Sequence, residues 1–205
     1  MLVSCSGSRM PSERPPQLRL FVACELSDEV RAELGRIQDE LRRMDAGRLR
    51  WVRPEAIHIT LKFLGDVDEP RVDELSRSLA EAIERFELRV RPGALGAFGG
   101  NRLRVIWVAL EGDIDALAGL AGRVETALEP LGFPKERRPF AAHLTLARVP
   151  DGVPVADRQQ LASLIERYGP QATPSMTVTE VALIQSTLRP GGSVYHRLAT
   201  FPRRA

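Results

Sequence analysis

The chain has 205 residues, 43% of them hydrophobic and 27% charged, enough for one substantial domain or two lobes with a real core and far from the signature of disorder. With 29 basic residues against 27 acidic ones, a general nucleic-acid-coating surface is excluded, so an anionic ligand has to be held locally. Cys5 and Cys24 alone supply neither a disulfide framework nor a thiolate metal cluster, no run reaches the roughly 18 apolar residues of a membrane span, and a reducing cytoplasm is the expected location.

Met1 to Gln17 holds Ser, Arg and Pro without a sustained apolar stretch, so residues 1–17 read as a disordered N-terminal tail rather than a signal peptide, with Met10 as an alternative start. Residues 18–205 read as a single bilobal domain. Leu18 to Glu25 is the first strand, with Leu18, Leu20, Val22 and Cys24 on one face. Ser27 caps a helix to about Arg43 whose core stripe is Val30, Leu34, Ile37 and Leu41, with Gly47 at its exit. After an apolar stretch at Leu49–Val52 and the break at Pro54, Ile57 to Leu64 forms a strand ended by Gly65 and Asp66. Pro70 opens a second helix with Val72, Leu75, Leu79, Ala82 and Phe86 inward. A strand near Glu87–Arg91, a bend through Gly93, Gly96, Gly99 and Gly100, and an apolar strand at Val105–Leu110 follow.

A third helix starts at Asp113 or Asp115, carries Leu117, Ala121, Val124 and Leu128, and stops at Pro130, Gly132 and Pro134. Ala142 to Val149 is again a strand, Val155 to Tyr168 a fourth helix, and strands near Met176–Ser186 and His196–Phe201, joined by the turn Pro190-Gly191-Gly192, close the chain. Helices and strands mix in both halves, which predicts an α+β fold: two pseudo-symmetric lobes, each with an antiparallel sheet and helices, lining a central cleft.

One pattern occurs twice. His58-Ile59-Thr60-Leu61 and His143-Leu144-Thr145-Leu146 both fall on predicted strands, where alternation points each His the same way as its Thr. Two such strands facing one groove supply two imidazoles and two hydroxyls. An imidazole has both protonation states populated near neutrality, since its ordinary pKa is about 6.5. One can take a proton from an attacking water while the other gives one to a leaving oxygen, each transfer worth about 10²–10⁴ in rate. Thr hydroxyls can donate to the non-bridging oxygens of a phosphate. The set is sufficient in kind without a metal, and with no third ligand and no HExxH spacing we expect no metal and no cofactor.

The stretches LRLFVACEL, WVRPEAIHITLKFLGDV, RPFAAHLTLARV and IQSTLRPGGSVYHRLATF resemble the signature blocks of the RNA 2',3'-cyclic phosphodiesterases. This is a branch of the two-histidine phosphoesterase superfamily whose members were first described as 2'-5' RNA ligases. The resemblance spans about Leu18 to Phe201. It implies a bilobal α+β fold; His58 as the acid that protonates the departing 3'-oxygen; His143 as the base that activates water; Thr60 and Thr145 as phosphate holders; and a terminal 2'-phosphate product. RNA ends or nucleoside 2',3'-cyclic phosphates are the implied substrates, and we expect a monomer.

Arg148 falls at the basic position after the second motif, where the resemblance implies a phosphate or base contact; strict alternation puts it on the wrong face, so a bulge is required. Lys62 has the parity of His58 and Thr60, as a site residue or a rim charge. Phe140 is a candidate base-stacking ring or a core contact, and Tyr195 packs the closing turn. His196, without a companion Thr, is left out. Two further readings stay open: a relative acting on another small cyclic phosphate or as a reversible 2'-5' ligase, which uses the same side chains, and a non-catalytic RNA-end binding module, which needs no imidazole pair.

Overall fold

The first strand of the computed structural model, which describes residues 15–44, 49–168, 172–190 and 192–202, is β1 (Gln17–Glu25). It is buried on both faces: Leu20, Val22 and Cys24 enter the main core, and Phe21 and Ala23 form a smaller cluster with Ala182 and Ile184 on the other side. The helix α1 (Asp28–Met44) follows, capped by Ser27, whose Oγ accepts from the Val30 N–H at 3.3 Å. Val30, Leu34, Ile37 and Leu41 are each at most 2% exposed, as the helical spacing predicts. Burying a side chain of this size stabilises by about 1.5–3 kcal/mol, so Leu34→Ala is expected to cost about 2–5 kcal/mol.

The chain continues through β2 (Arg50–Trp51), β3 (His58–Asp68), α2 (Val72–Ala82), β4 (Leu88–Phe98), β5 (Val105–Gly112) and α3 (Ile114–Leu128). It ends with β6 (His143–Arg148), α4 (Val155–Arg167), β7 (Met176–Val178), β8 (Val181–Arg189) and β9 (Gly192–Phe201). The strands form two antiparallel sheets, ordered β3-β1-β8-β9 and β2-β6-β5-β4-β7. One apolar cluster joins both sheets, through residues such as Val22, Ile59, Val108 and Leu144, with helix residues Leu34, Leu75 and Leu117. The two sheets therefore share one core, and the predicted α+β, two-sheet architecture holds. The lobes are not successive halves of the chain: strands from its two ends build the first sheet, and β2 with β4–β7 builds the second. Each sheet receives one motif strand, β3 or β6, and the two approach each other.

Several boundaries differ from the sequence reading for physical reasons. Gly65 does not end β3: it takes φ +73°, a value glycine adopts at little cost, and the strand runs on to Asp68 paired with Gln17. The glycines at 93 and 96 do not form a bend but lie inside β4, which continues to Phe98 with a register shift between Pro92 and Leu95. Gly96 is there because the Trp107 ring of β5 occupies the space a Cβ would need. The stretch from Met176 divides between the two sheets, β7 pairing with β4 and β8 with β1. Helix α2 stops at Ala82, before Phe86. Gln17 belongs to β1, and the rest of the tail up to residue 14, Gly47 and Gly191 lie outside the described residues.

Candidate active site

The two motif strands are built alike beyond their shared letters. From His58 to Phe63 and from His143 to Arg148 the alternation of half-buried, buried and exposed residues is identical. The cause is a bulge at the same position in each. In β3, Ala23 pairs with Thr60 and Val22 with Lys62, leaving Leu61 as the extra residue. In β6, Trp107 pairs with Thr145 and Ile106 with Ala147, leaving Leu146 extra. An extra residue reverses the parity of everything after it. His, Thr and the fifth residue after His, Phe63 in one strand and Arg148 in the other, therefore share the cleft face.

This reversal decides two of the sequence-based candidates. Arg148 reaches the cavity face by the required bulge. Lys62 does not: it is 3% exposed, on the core side, donating to Glu125 Oε1 at 3.3 Å and to the Pro134 carbonyl at 2.8 Å. Its assignment to the site or its rim is corrected; it anchors the approach to β6 against α3. The second bulge has its own brace. Gln38 of α1, 0% exposed, donates from Nε2 to the carbonyls of Val52 at 2.7 Å and Leu146 at 3.0 Å, and the Val52 N–H donates to the same Leu146 carbonyl at 2.9 Å. Gln38 thus adds a second donor to the carbonyl of the bulged residue and ties it to Val52, while its own Oε1 is left without a partner.

The imidazoles are held in the same way. Nδ1 of His58 lies 2.9 Å from the Ala56 carbonyl and Nδ1 of His143 lies 2.8 Å from the Ala141 carbonyl. A carbonyl only accepts, so each Nδ1 carries the proton and donates it. Nε2 is then the nitrogen available to a ligand: a base when neutral, an acid when protonated. Phe21 stacks on the His58 ring at 4.6 Å, and Tyr195 meets its edge at 5.2 Å. Phe98 meets His143 at 5.1 Å. Burial pushes His58 down to about 4, against the pull of its bond to Ala56, and charge on His143 depresses it further. The two rings thus feel each other electrostatically, and in the free protein His58 is neutral at pH 7.

His58, Thr60, His143, Thr145 and Arg148 all line one cavity of about 580 Å³. Arg19, Arg50, Arg53 and Arg189 join them, and among the described residues none of the lining is acidic, so the local concentration of charge predicted from the balanced composition is here. Arg53 is steadied by donating to the Ser193 carbonyl at 3.1 Å. Phe140 packs against the core and is not among the lining residues; His196 is exposed beside Gln185. The sequence reading confines Tyr195 to the closing turn and misses Phe21, Phe63 and Gln38. Phe63 is accessible from the repeat itself, since it stands where Arg148 stands in the second copy. Among the described residues no group of three or more His, Cys, Asp or Glu is arranged to share a metal ion.

Comparison with known proteins places this geometry. The family model described as LigT like phosphoesterase matches residues 25–107 and again 108–195, one match per motif. An RNA 2',3'-cyclic phosphodiesterase of Methanothermobacter thermautotrophicus is 35% identical over 90% of this chain and 98% of its own length. The one from Archaeoglobus fulgidus is 32% identical over 90% and 99%. Among solved structures, a Thermus thermophilus protein superposes with TM-score 0.68 at 29% identity, covering 90% of this chain and 97% of its own. E. coli LigT complexed with 3'-AMP superposes with TM-score 0.68 at 25% identity, covering 91% and 98%. A family model matched across both halves and relatives above 30% identity over nine-tenths of the chain show that the chain belongs to the LigT-like phosphoesterase family.

Proposed function

We propose that this protein hydrolyses RNA 2',3'-cyclic phosphodiester ends to a 2'-phosphate by metal-independent acid and base catalysis, with His58 and His143 as the proton-transfer pair. The observation that carries this reading is the matched commitment of both Nδ1 atoms to backbone carbonyls, which fixes the tautomer of two imidazoles lining one cavity. Relatives named for this activity cover nearly the whole chain, and E. coli LigT, of the same fold, forms a complex with the nucleotide 3'-AMP. Residues 18–205 act as one bilobal domain and as a monomer.

In the forward reaction Nε2 of His143 takes a proton from water as the water oxygen bonds to phosphorus. The bond from phosphorus to O3' breaks, and Nε2 of His58 supplies the proton that makes O3' a hydroxyl. The phosphate stays on O2'. Thr60 and Thr145 donate hydrogen bonds to the non-bridging oxygens, where charge builds as phosphorus reorganises, and Arg148, two ladder positions beyond Thr145, adds a guanidinium contact to the substrate away from the reacting phosphorus. A neutral His58 cannot be the acid by itself. The substrate supplies what is missing: one negative charge about 4 Å away, at an effective dielectric of about 20, favours the imidazolium by about 4 kcal/mol, or about 3 pH units. That lifts His58 from about 4 back toward neutrality, so the acid is loaded by the anion it acts on.

The test is incubation of a nucleoside 2',3'-cyclic phosphate with the protein in excess EDTA, with the product read by ³¹P NMR. A 2'-phosphate is expected. A 3'-phosphate, no turnover, or turnover abolished by chelation would overturn the proposal.

A further inference from the structure

Arg50 and Arg148 are direct cross-strand partners in the β2–β6 ladder, both exposed and both lining the cavity. Like charges placed opposite each other destabilise a sheet, and here no described lining residue is acidic. The pair is held rather than accidental. Strand β2 has two residues, and its junction with β6 is closed by the Val52 bond to Leu146 and by Gln38 bridging both carbonyls. The brace that secures the bulge therefore also fixes Arg50 beside Arg148. Two forked guanidinium groups side by side suit a phosphate, whose oxygens accept from both.

Position along the strand says which phosphate. At about 3.4 Å per residue, Thr145 lies about 7 Å from His143, and Arg148, opposite Val105 in the ladder where His143 is opposite Ala109, lies about 14 Å away. The step from the hydroxyl beside the reacting phosphorus to the arginine pair is comparable to the distance between successive phosphates of an RNA strand. We infer that Arg50 and Arg148 form a subsite for the phosphate on the 5' side of the terminal nucleoside, so that the enzyme selects RNA ends over cyclic mononucleotides. This rests on the reading of the cleft as a cyclic phosphodiesterase site, and it adds a specificity determinant, Arg50, that touches the substrate one phosphate away from the chemistry.

The test uses two substrates that differ by one group: adenosine 2',3'-cyclic phosphate with and without a 5'-phosphate. A charge-assisted contact of this kind is worth roughly tenfold or more, so the wild-type kcat/KM should favour the 5'-phosphorylated compound by about tenfold. In Arg50→Gln that ratio should fall toward one, and in Arg50→Glu it should invert. A wild-type ratio near one, or a ratio unchanged in both variants, overturns the subsite while leaving the cyclic phosphodiesterase reading in place. If neither compound is cleaved, that reading falls and takes the subsite with it.

Discussion

The depressed His58 gives a quantitative handle on the acid role proposed for it. Burial is the main cause of its fall to about 4, from an ordinary value of about 6.5. Its neutral form is therefore favoured by the folded state, and between about pH 4 and 6.5 the folded protein binds fewer protons than the unfolded chain. The sign follows: this contribution is complete above pH 6.5 and is lost as the pH falls, by about 3 kcal/mol at pH 4. Placing an anion between the imidazoles should reverse the shift by about 3 units. The assay is ¹³C–¹H NMR titration of the His58 ring, alone and saturated with adenosine 2'-monophosphate. The expected midpoint is about 4 in the free protein and markedly higher in the complex. A free-protein midpoint near 6.5, or one that the ligand leaves in place, refutes the electrostatic reasoning.

Removing the brace behind the second bulge should loosen the arginine it turns: Gln38→Leu strips two hydrogen bonds from buried carbonyls, a loss of about 1–3 kcal/mol in urea unfolding, and should raise KM more than it lowers kcat, because Arg148 is displaced while the imidazoles keep their own carbonyls. Equal loss in both parameters would show that Gln38 supports the imidazoles instead. Lys62→Met keeps the buried stem and removes a charge that Glu125 and the Pro134 carbonyl share; it should destabilise by about 1–3 kcal/mol, since the Pro134 carbonyl loses this donor and Glu125 keeps the Glu136 N–H, with any active fraction retaining wild-type KM. A raised KM would return Lys62 to the site. Gly96→Val should push Trp107 toward His143, which stands at 6.3 Å from it, and lower kcat by tenfold or more; unchanged kcat would mean that the ring moves elsewhere.

How much of this is legible in the sequence follows from range. The helical stripe of α1 and its Ser27 cap depend on neighbours within four residues, and both come through. The two His and two Thr share a face because alternation holds over three residues. Lys62 fails because parity does not carry across a bulge: Val22 and Ala23, consecutive in the partner strand, pair with Lys62 and Thr60 and leave Leu61 extra. The bulge invoked to bring Arg148 inward applies equally to the first copy, where it expels Lys62 and admits Phe63, and the repeat contains that information. Nothing local marks Gln38 or the ring contact of Tyr195, whose partners lie 108 residues away at Leu146 and on another strand at His58. The glycines of β4 read as a bend because composition does not show that Trp107 fills the space above Gly96.

The central claim is that two imidazoles, one from each sheet, divide a single proton-transfer task. It is tested most directly by single-turnover hydrolysis of a 2',3'-cyclic nucleotide by the wild type, His58→Ala, His143→Ala and the double variant. Each single substitution should lower the rate by about 10²–10⁴, with nucleotide binding largely kept and the double variant scarcely slower than the worse single one, as groups acting as a unit behave. A single variant that retains the wild-type rate would contradict the account.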